Sequence, residues 1–239
     1  QKVMNRYAEW IRDNDHVDGG ILPPPVTEFC MAKGDYDPHG RIVVGWMGRP
    51  LEDKGLMTLP YLLAENPRIV VRAWTGAETA GLDYTLRVQG EAMEAVMKLA
   101  RKLGVEDRLD LRPLDFNALS YRHRLEGCHG LLGNSRKEGF LLTAAEALSC
   151  GIPVVVTKTC GIADFIKNGQ NGYLIDWNDS PRRLAKVAHR AILKAAKLDA
   201  VKCLASVDQL SLGSGYAGAY RPVLAGLTHT GLQHADSRV

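Results

Sequence analysis

Two stretches of this 239-residue chain carry residue types at spacings suited to holding a charged ligand. The first, Gly48-Arg49-Pro50-Leu51-Glu52-Asp53-Lys54-Gly55, sets two cations five residues apart in a turn that opens a helical pattern. Fixed cations beside a helix N-terminus clamp a pyrophosphate well, because the amides and the helix dipole there favour anions too. The same residues also fit a surface loop in which Arg49 and Lys54 pair with Glu52 and Asp53. The second stretch, Glu138-Gly139-Phe140-Leu141-Leu142-Thr143-Ala144-Ala145-Glu146, runs from a loop into a helical pattern, with glutamates eight residues apart. Eight helical residues rise ~12 Å, whereas glycosidase carboxyls stand ~5 Å or ~6.5–9.5 Å apart. The pair is therefore unsuited to cutting one glycosidic bond. It suits the two ends of an extended ligand, with the amides of Phe140 to Thr143 receiving a phosphate between them. A structural pair, with Glu138 capping the helix and Glu146 an exposed acid, fits the spacing as well.

Such residues need a rigid frame, and the hydrophobic pattern supplies one. Apolar runs at 41–47, 68–74, 109–112, 130–133, 153–157 and 173–176 read as buried strands,. Helical patterns lie between them, near 55–65, 90–104, 116–126, 141–150, 160–168 and 181–197. This alternation predicts an α/β fold, a Rossmann-like open parallel sheet with helices on both faces. The ligand crevice of such a sheet lies outside the carboxyl ends of its strands, where both stretches fall. The segment 75–92 reads either way, because Tyr84 to Gln89 also has strand character.

Composition removes several alternatives. Thirty Lys and Arg against 27 Asp and Glu leave a formal charge of +3, far from the single-sign excess of a nucleic-acid binder,. A 46% hydrophobic, 24% charged chain is neither disordered nor a disulfide scaffold,. Cys30, Cys128, Cys150, Cys160 and Cys203 are odd in number and scattered, with no CxxC pair and no zinc spacing,. They predict a reducing, cytoplasmic setting and no metal. The apolar stretch 141–157 is broken by Glu146, Gly151 and Pro153, so it lacks the ~20 uninterrupted residues of a membrane span,. Arg182, Lys186, Arg190 and Lys194 form a basic stripe that reads as a solvated face, with peripheral membrane contact as its alternative. His123 and His129 read as structural, and Trp46 and Trp74 as core.

The run Glu138 to Glu146 resembles the E-x7-E motif of retaining GT-B glycosyltransferases of family 4, glycosyl transferases group 1. Gly48-Arg49 with Lys54-Gly55 is similar to that family's GR-x4-KG. Residues 146–157 resemble its EA-x3-G-x-PVV-x-T segment, and residues 161–175 its GI-x-E-x-I-x-x-G-x-NG-x-L-V. Pro24-Pro25-Val26 is similar to the PPVD that closes the interdomain linker, with Thr27 in place of Asp. Leu141 and Pro113 stand where the family usually has glycine. The resemblance covers roughly 21–226, in the family's order and spacing.

What the resemblance implies is the C-terminal, donor-binding half of a GT-B fold. It implies a retaining, metal-independent hexosyltransferase without a cofactor, taking a nucleotide-diphosphate sugar such as a UDP or GDP sugar as co-substrate. Gly48, Arg49 and Lys54 would hold the diphosphate and stabilise it as leaving group, and Glu138 would bind sugar hydroxyls. The backbone of Gly139, Phe140, Leu141, Leu142 and Thr143 would approach sugar and phosphate, and Glu146 would accept the ribose hydroxyls. The base would lie near Leu111 to Leu114, touching Arg112 and Leu114. On this reading residues 1–22 are a remnant of an N-terminal domain or linker, 23–210 the nucleotide-sugar-binding domain, 211–227 a crossover helix and 228–239 a tail. An N-terminal domain or a partner chain would hold the acceptor, whether saccharide, lipid or small molecule. The rival readings are a non-catalytic nucleotide-sugar binding module or half of a split enzyme, a nicotinamide-dependent dehydrogenase and a nucleotide-sugar epimerase. No GxGxxG follows the first strand, which disfavours the dehydrogenase, and the epimerase rests on fold analogy alone.

Overall fold

Short runs rich in isoleucine, valine or leucine form the strands that the pattern predicts. In the computed structural model, which describes residues 30–75, 83–113 and 121–207, they are β1 (Ile42–Met47), β2 (Ile69–Thr75), β3 (Leu109–Pro113), β4 (Gly130–Gly133), β5 (Val154–Thr157) and β6 (Gly172–Ile175). β4 and β5 are buried at every position, the pattern of strands covered on both faces,. The six strands form one sheet in the order β3-β2-β1-β4-β5-β6, all neighbours parallel. Chain order reverses between β1 and β4, where Val44 faces Gly130, and that reversal opens a crevice at the carboxyl ends of the two strands,.

The helices are α1 (Thr58–Glu65), α2 (Asp83–Leu103), α3 (Tyr121–Leu125), α4 (Leu142–Ser149), α5 (Pro181–Ala195) and α6 (Ala200–Ala205). On one face Leu59, Leu62 and Leu63 of α1, Val96 and Ala100 of α2, and Leu184, Ala188 and Ile192 of α5 share a core with Ile42, Val44, Ile69, Val71 and Val155. On the other, α4 packs over β4 and β5, with α6 behind it. Helix α5 starts with Pro181, whose fixed φ suits the first helical position, and exposes Arg182, Lys186, Arg190 and Lys194 opposite its buried stripe,.

Two segments differ from the sequence reading, and one that it left open is assigned in part. Of the ambiguous stretch 75–92, Thr75 ends β2 and residues 83–92 belong to α2, while 76–82 lie outside the described residues. The helix expected over 160–168 is a single 3-10 turn, Gly161–Phe165, that ends at an extended Ile166. Helix α6 was not anticipated; its six residues are too few for a visible period, although Asp199 caps it by accepting from the amides of Val201 at 2.7 Å and Lys202 at 3.2 Å,. Residues 1–29 and 208–239, on which the linker, crossover-helix and tail readings fall, lie outside the described residues.

Candidate functional site

The loop after β1 is a tight, internally bonded turn. The amide of Gly48 donates to the Trp74 carbonyl at 3.1 Å, tying the loop's start to β2. Residues Glu52–Lys54 then form one 3-10 turn, closed by the Lys54 amide on the Leu51 carbonyl at 3.0 Å and the Gly55 amide on the Glu52 carbonyl at 3.1 Å. Gly55 ends it at φ 73°, a left-handed conformation open to glycine without steric cost,. Lys54 emerges with its side chain only 12% exposed. Its ammonium bonds the Glu138 carboxylate and stands 3.7 Å from Asp53. Arg49 is exposed and makes no ion pair among the described residues.

The loop after β4 is anchored along its length. The Thr157 hydroxyl donates to the Ser135 carbonyl at 2.5 Å, and the Arg136 amide to the Asp53 carbonyl at 2.6 Å. Beside that hydroxyl, burial pushes the Cys160 thiol up, which keeps it protonated,. The amides of Gly161 and Ile162 reach the carbonyls of Glu138 and Phe140 at 3.1 and 2.8 Å. A Cβ on Gly161 would collide with the Gly139 carbonyl, so this approach requires glycine. The Phe140 ring meets Phe165 edge to face, with centroids 5.8 Å apart,.

Helix α4 then starts without a side-chain cap. Its N-cap residue is Leu141, at φ 73° and ψ 69°, the one non-glycine residue with positive φ among the described residues. That conformation costs an ordinary residue ~1–2 kcal/mol. Glu138 does not cap the helix: its backbone forms a bridge with Cys160, and its carboxylate is taken by Lys54. Of the two glutamates only Glu146 is helical, so the rise between them is not that of eight helical residues. The amides of Leu142 and Thr143 belong to the first turn, which has no preceding helical carbonyls to bond, and they sit at the positive end of the dipole,. Gly139 is exposed, while Phe140, Thr143 and Glu146 are half-buried around that end.

Lys54, Glu138 and the start of α4 are thus brought together; Arg112 is not. Arg112 bonds Asp110 at 2.7 and 2.8 Å, which raises its pKa further, and lies over Trp74 with its guanidinium 5.7 Å from the ring centroid. Leu114 lies outside the described residues. His129 is structural, as expected. Its Nδ1 accepts from the Val43 amide and its Nε2 donates to the Asp35 carbonyl, both at 3.0 Å, and burial lowers its pKa. The residue that the sequence reading missed is Asn134, buried at the end of β4 and bonded to both Trp46 and Gly55; a polar residue directly after a buried strand was its one signal. A cavity of about 510 Å³ opens beside the site. Asp53, Gly55 and Arg136 line it together with Met57, Trp177 and Asp179, but Lys54 and Glu138 do not. Among the described residues no three His, Cys, Asp or Glu side chains cluster as metal ligands, and no helix is long and apolar enough to cross a membrane.

Comparison with known proteins agrees with this architecture. The family model for glycosyl transferases group 1 matches residues 61–202. D-inositol 3-phosphate glycosyltransferase 1 of Catenulispora acidiphila is 29% identical over 200 residues, 79% of this chain and 44% of that protein. N-acetyl-alpha-D-glucosaminyl L-malate synthase of Bacillus anthracis is 31% identical over 113 residues, 46% of this chain and 29% of that protein. Among solved structures, the lipopolysaccharide outer core galactosyltransferase WaaB superposes with a TM-score of 0.67 at 20% identity, over 87% of this chain and 55% of that one. Anabaena Alr3699/HepE in complex with UDP and glucose gives a TM-score of 0.61 at 22% identity, over 80% and 49%. The chain spans about half the length of the relatives it matches.

Proposed function

The chain belongs to the glycosyl transferases group 1 family, and from that premise we propose that it is the donor-binding half of a retaining glycosyltransferase that uses a nucleotide-diphosphate sugar. The observation that carries this reading is the pairing of Lys54 with Glu138 beside the uncapped start of α4, at the reversal of strand order. Lys54, Arg49 and the first-turn amides of α4 hold the diphosphate. Negative charge grows on the diphosphate as the sugar–phosphate bond breaks, so fixed cations and amides act most strongly in the transition state and supply the positive charge without a metal. Glu138, held by Lys54, accepts hydroxyls of the transferred sugar, and Glu146 those of the ribose. With retention, the incoming hydroxyl attacks on the face the diphosphate leaves and passes its proton to the departing phosphate oxygen. An N-terminal domain or a partner chain supplies the acceptor contacts, which fits a chain matching about half of its relatives' length. Five cysteines without a disulfide suit a cytoplasmic setting.

Calorimetric titration of UDP, GDP, ADP and TDP into the chain tests this reading, with Glu146→Ala as a control. Saturable binding of one diphosphate, weakened in the variant, is the expected result; binding of none contradicts the donor site. Incubating the chain with the sugar conjugate of the diphosphate that binds, with and without D-inositol 3-phosphate, and following transfer or hydrolysis of that sugar then separates an active half from a non-catalytic binding module.

A further inference from the structure

We infer that Asn134 is a positioning residue that sets Lys54 for the diphosphate, an inference that rests on the donor-site reading above. Asn134 is fully buried where β4 runs out, at the reversal of strand order. Its side-chain amide is satisfied at both ends: Oδ1 accepts from Trp46 Nε1 at 2.8 Å, and Nδ2 donates to the Gly55 carbonyl at 2.9 Å. The orientation of the amide is forced, since an indole N–H only donates and a carbonyl only accepts. One planar group therefore joins the end of β1, the turn that carries Lys54 and the end of β4.

Gly55 and Asn134 are matched in shape as well as in bonding. A Cβ on Gly55 would lie 2.5 Å from Asn134 Nδ2 and 2.6 Å from the Asn134 carbonyl oxygen, so the turn comes this close only as glycine. Lys54 directly precedes that anchored carbonyl, and a long, rotatable side chain is aimed by the backbone that bears it. Asn134 does not bond the ammonium or its carboxylates; it acts through Gly55. Aspartate keeps the acceptor for Trp46 but loses the donor, and alanine loses both, leaving the buried indole N–H without its acceptor and the Gly55 carbonyl held by the Thr58 amide alone, at 3.0 Å,.

The test combines a ligand-free and a ligand-bound readout on the wild-type chain, Asn134→Ala, Asn134→Asp, Lys54→Ala and the double variant Asn134→Ala/Lys54→Ala. Hydrogen exchange at the amides of Lys54 and Gly55 is expected to rise about tenfold in both Asn134 variants, the equivalent of one buried hydrogen bond, with β5 and β6 unchanged. Affinity for the best of UDP, GDP, ADP and TDP should fall about tenfold in Asn134→Ala, whereas Asn134→Ala should have no further effect once Lys54 is alanine. A general loss of structure would instead weaken binding equally in both backgrounds, and that result overturns the inference. Unchanged exchange at Lys54 and Gly55 in Asn134→Ala also overturns it, whatever the binding data. Loosening of the turn as expected, in a wild-type chain that binds no diphosphate, overturns the donor-site reading and this inference together.

Discussion

Helices α4 and α6 pack against each other on one face of the sheet and begin in opposite ways. Helix α6 is capped by the Asp199 carboxylate, which takes the amides of Val201 and Lys202. Helix α4 has no side-chain cap, and the residue at its cap position is a leucine held at φ 73°. The capped helix shows what local chemistry does when stability alone is at stake. The other withholds an anionic cap and tolerates backbone strain at the end where Lys54 and Glu138 meet, and strain of that kind gathers at functional sites.

The largest effect that can break this contrast is at Leu141. It is 8% exposed, so Leu141→Ala should lower stability by about 2–4 kcal/mol in denaturant unfolding,. Leu141→Gly removes one more carbon yet should be the more stable of the two by about 1 kcal/mol, because glycine occupies positive φ freely. The reverse order, alanine above glycine, would show that the start of α4 is unstrained. Next comes Lys54→Ala, expected to weaken nucleoside-diphosphate binding about 10- to 100-fold, the scale of a charge-assisted hydrogen bond. Equal binding by variant and wild type would remove Lys54 from the site. Asp199→Ala should cost α6 about 1 kcal/mol in a thermal melt and leave diphosphate binding untouched; a binding loss there would erase the distinction between the two helix starts.

Acidification should give the smallest change, and it separates the scaffold from the site. Burial lowers the pKa of His129, and of His189 likewise, below the ordinary histidine value of 6.5. The unfolded chain therefore takes up a proton that the folded chain refuses, so stability present above pH 6.5 is lost as pH falls below it, towards the folded pKa,. Melting temperatures from pH 7.5 to pH 5.5 should show this fall, and His129→Gln should flatten part of it. An unchanged slope in that variant would place the sensitivity elsewhere.

Much of the frame was legible because buried parallel strands write themselves as short aliphatic runs, β-branched in β1, β2 and β5 and leucine-rich in β3 and β4, bounded by glycine or proline, as Pro153 precedes β5. Lys54 and Glu138 stand out in local spacing, and the family resemblance gives each its place in the site. Their contact across 84 residues was not readable, because it depends on which strands are neighbours. Asn134 stayed hidden for the same reason, its partners Trp46 and Gly55 being 88 and 79 residues away. Leu141 was recognised as a departure from glycine, but a leucine in sequence does not announce its φ. The 3-10 turn at 161–165 was overread as a helix because Ile162 and Ile166 mimic a helical period over a single turn.

The central claim is that the start of α4, facing Lys54 and Glu138, receives a diphosphate. Backbone amide chemical shifts followed while the tightest-binding nucleoside diphosphate is titrated into the isotope-labelled chain test it most directly. The account predicts the largest shifts at Lys54, Gly55, Gly139, Leu142 and Thr143, with Val201 and Lys202 at the start of α6 unmoved. Saturable binding that shifts the start of α6 as much as the start of α4, or that leaves Leu142 and Thr143 in place, would contradict it.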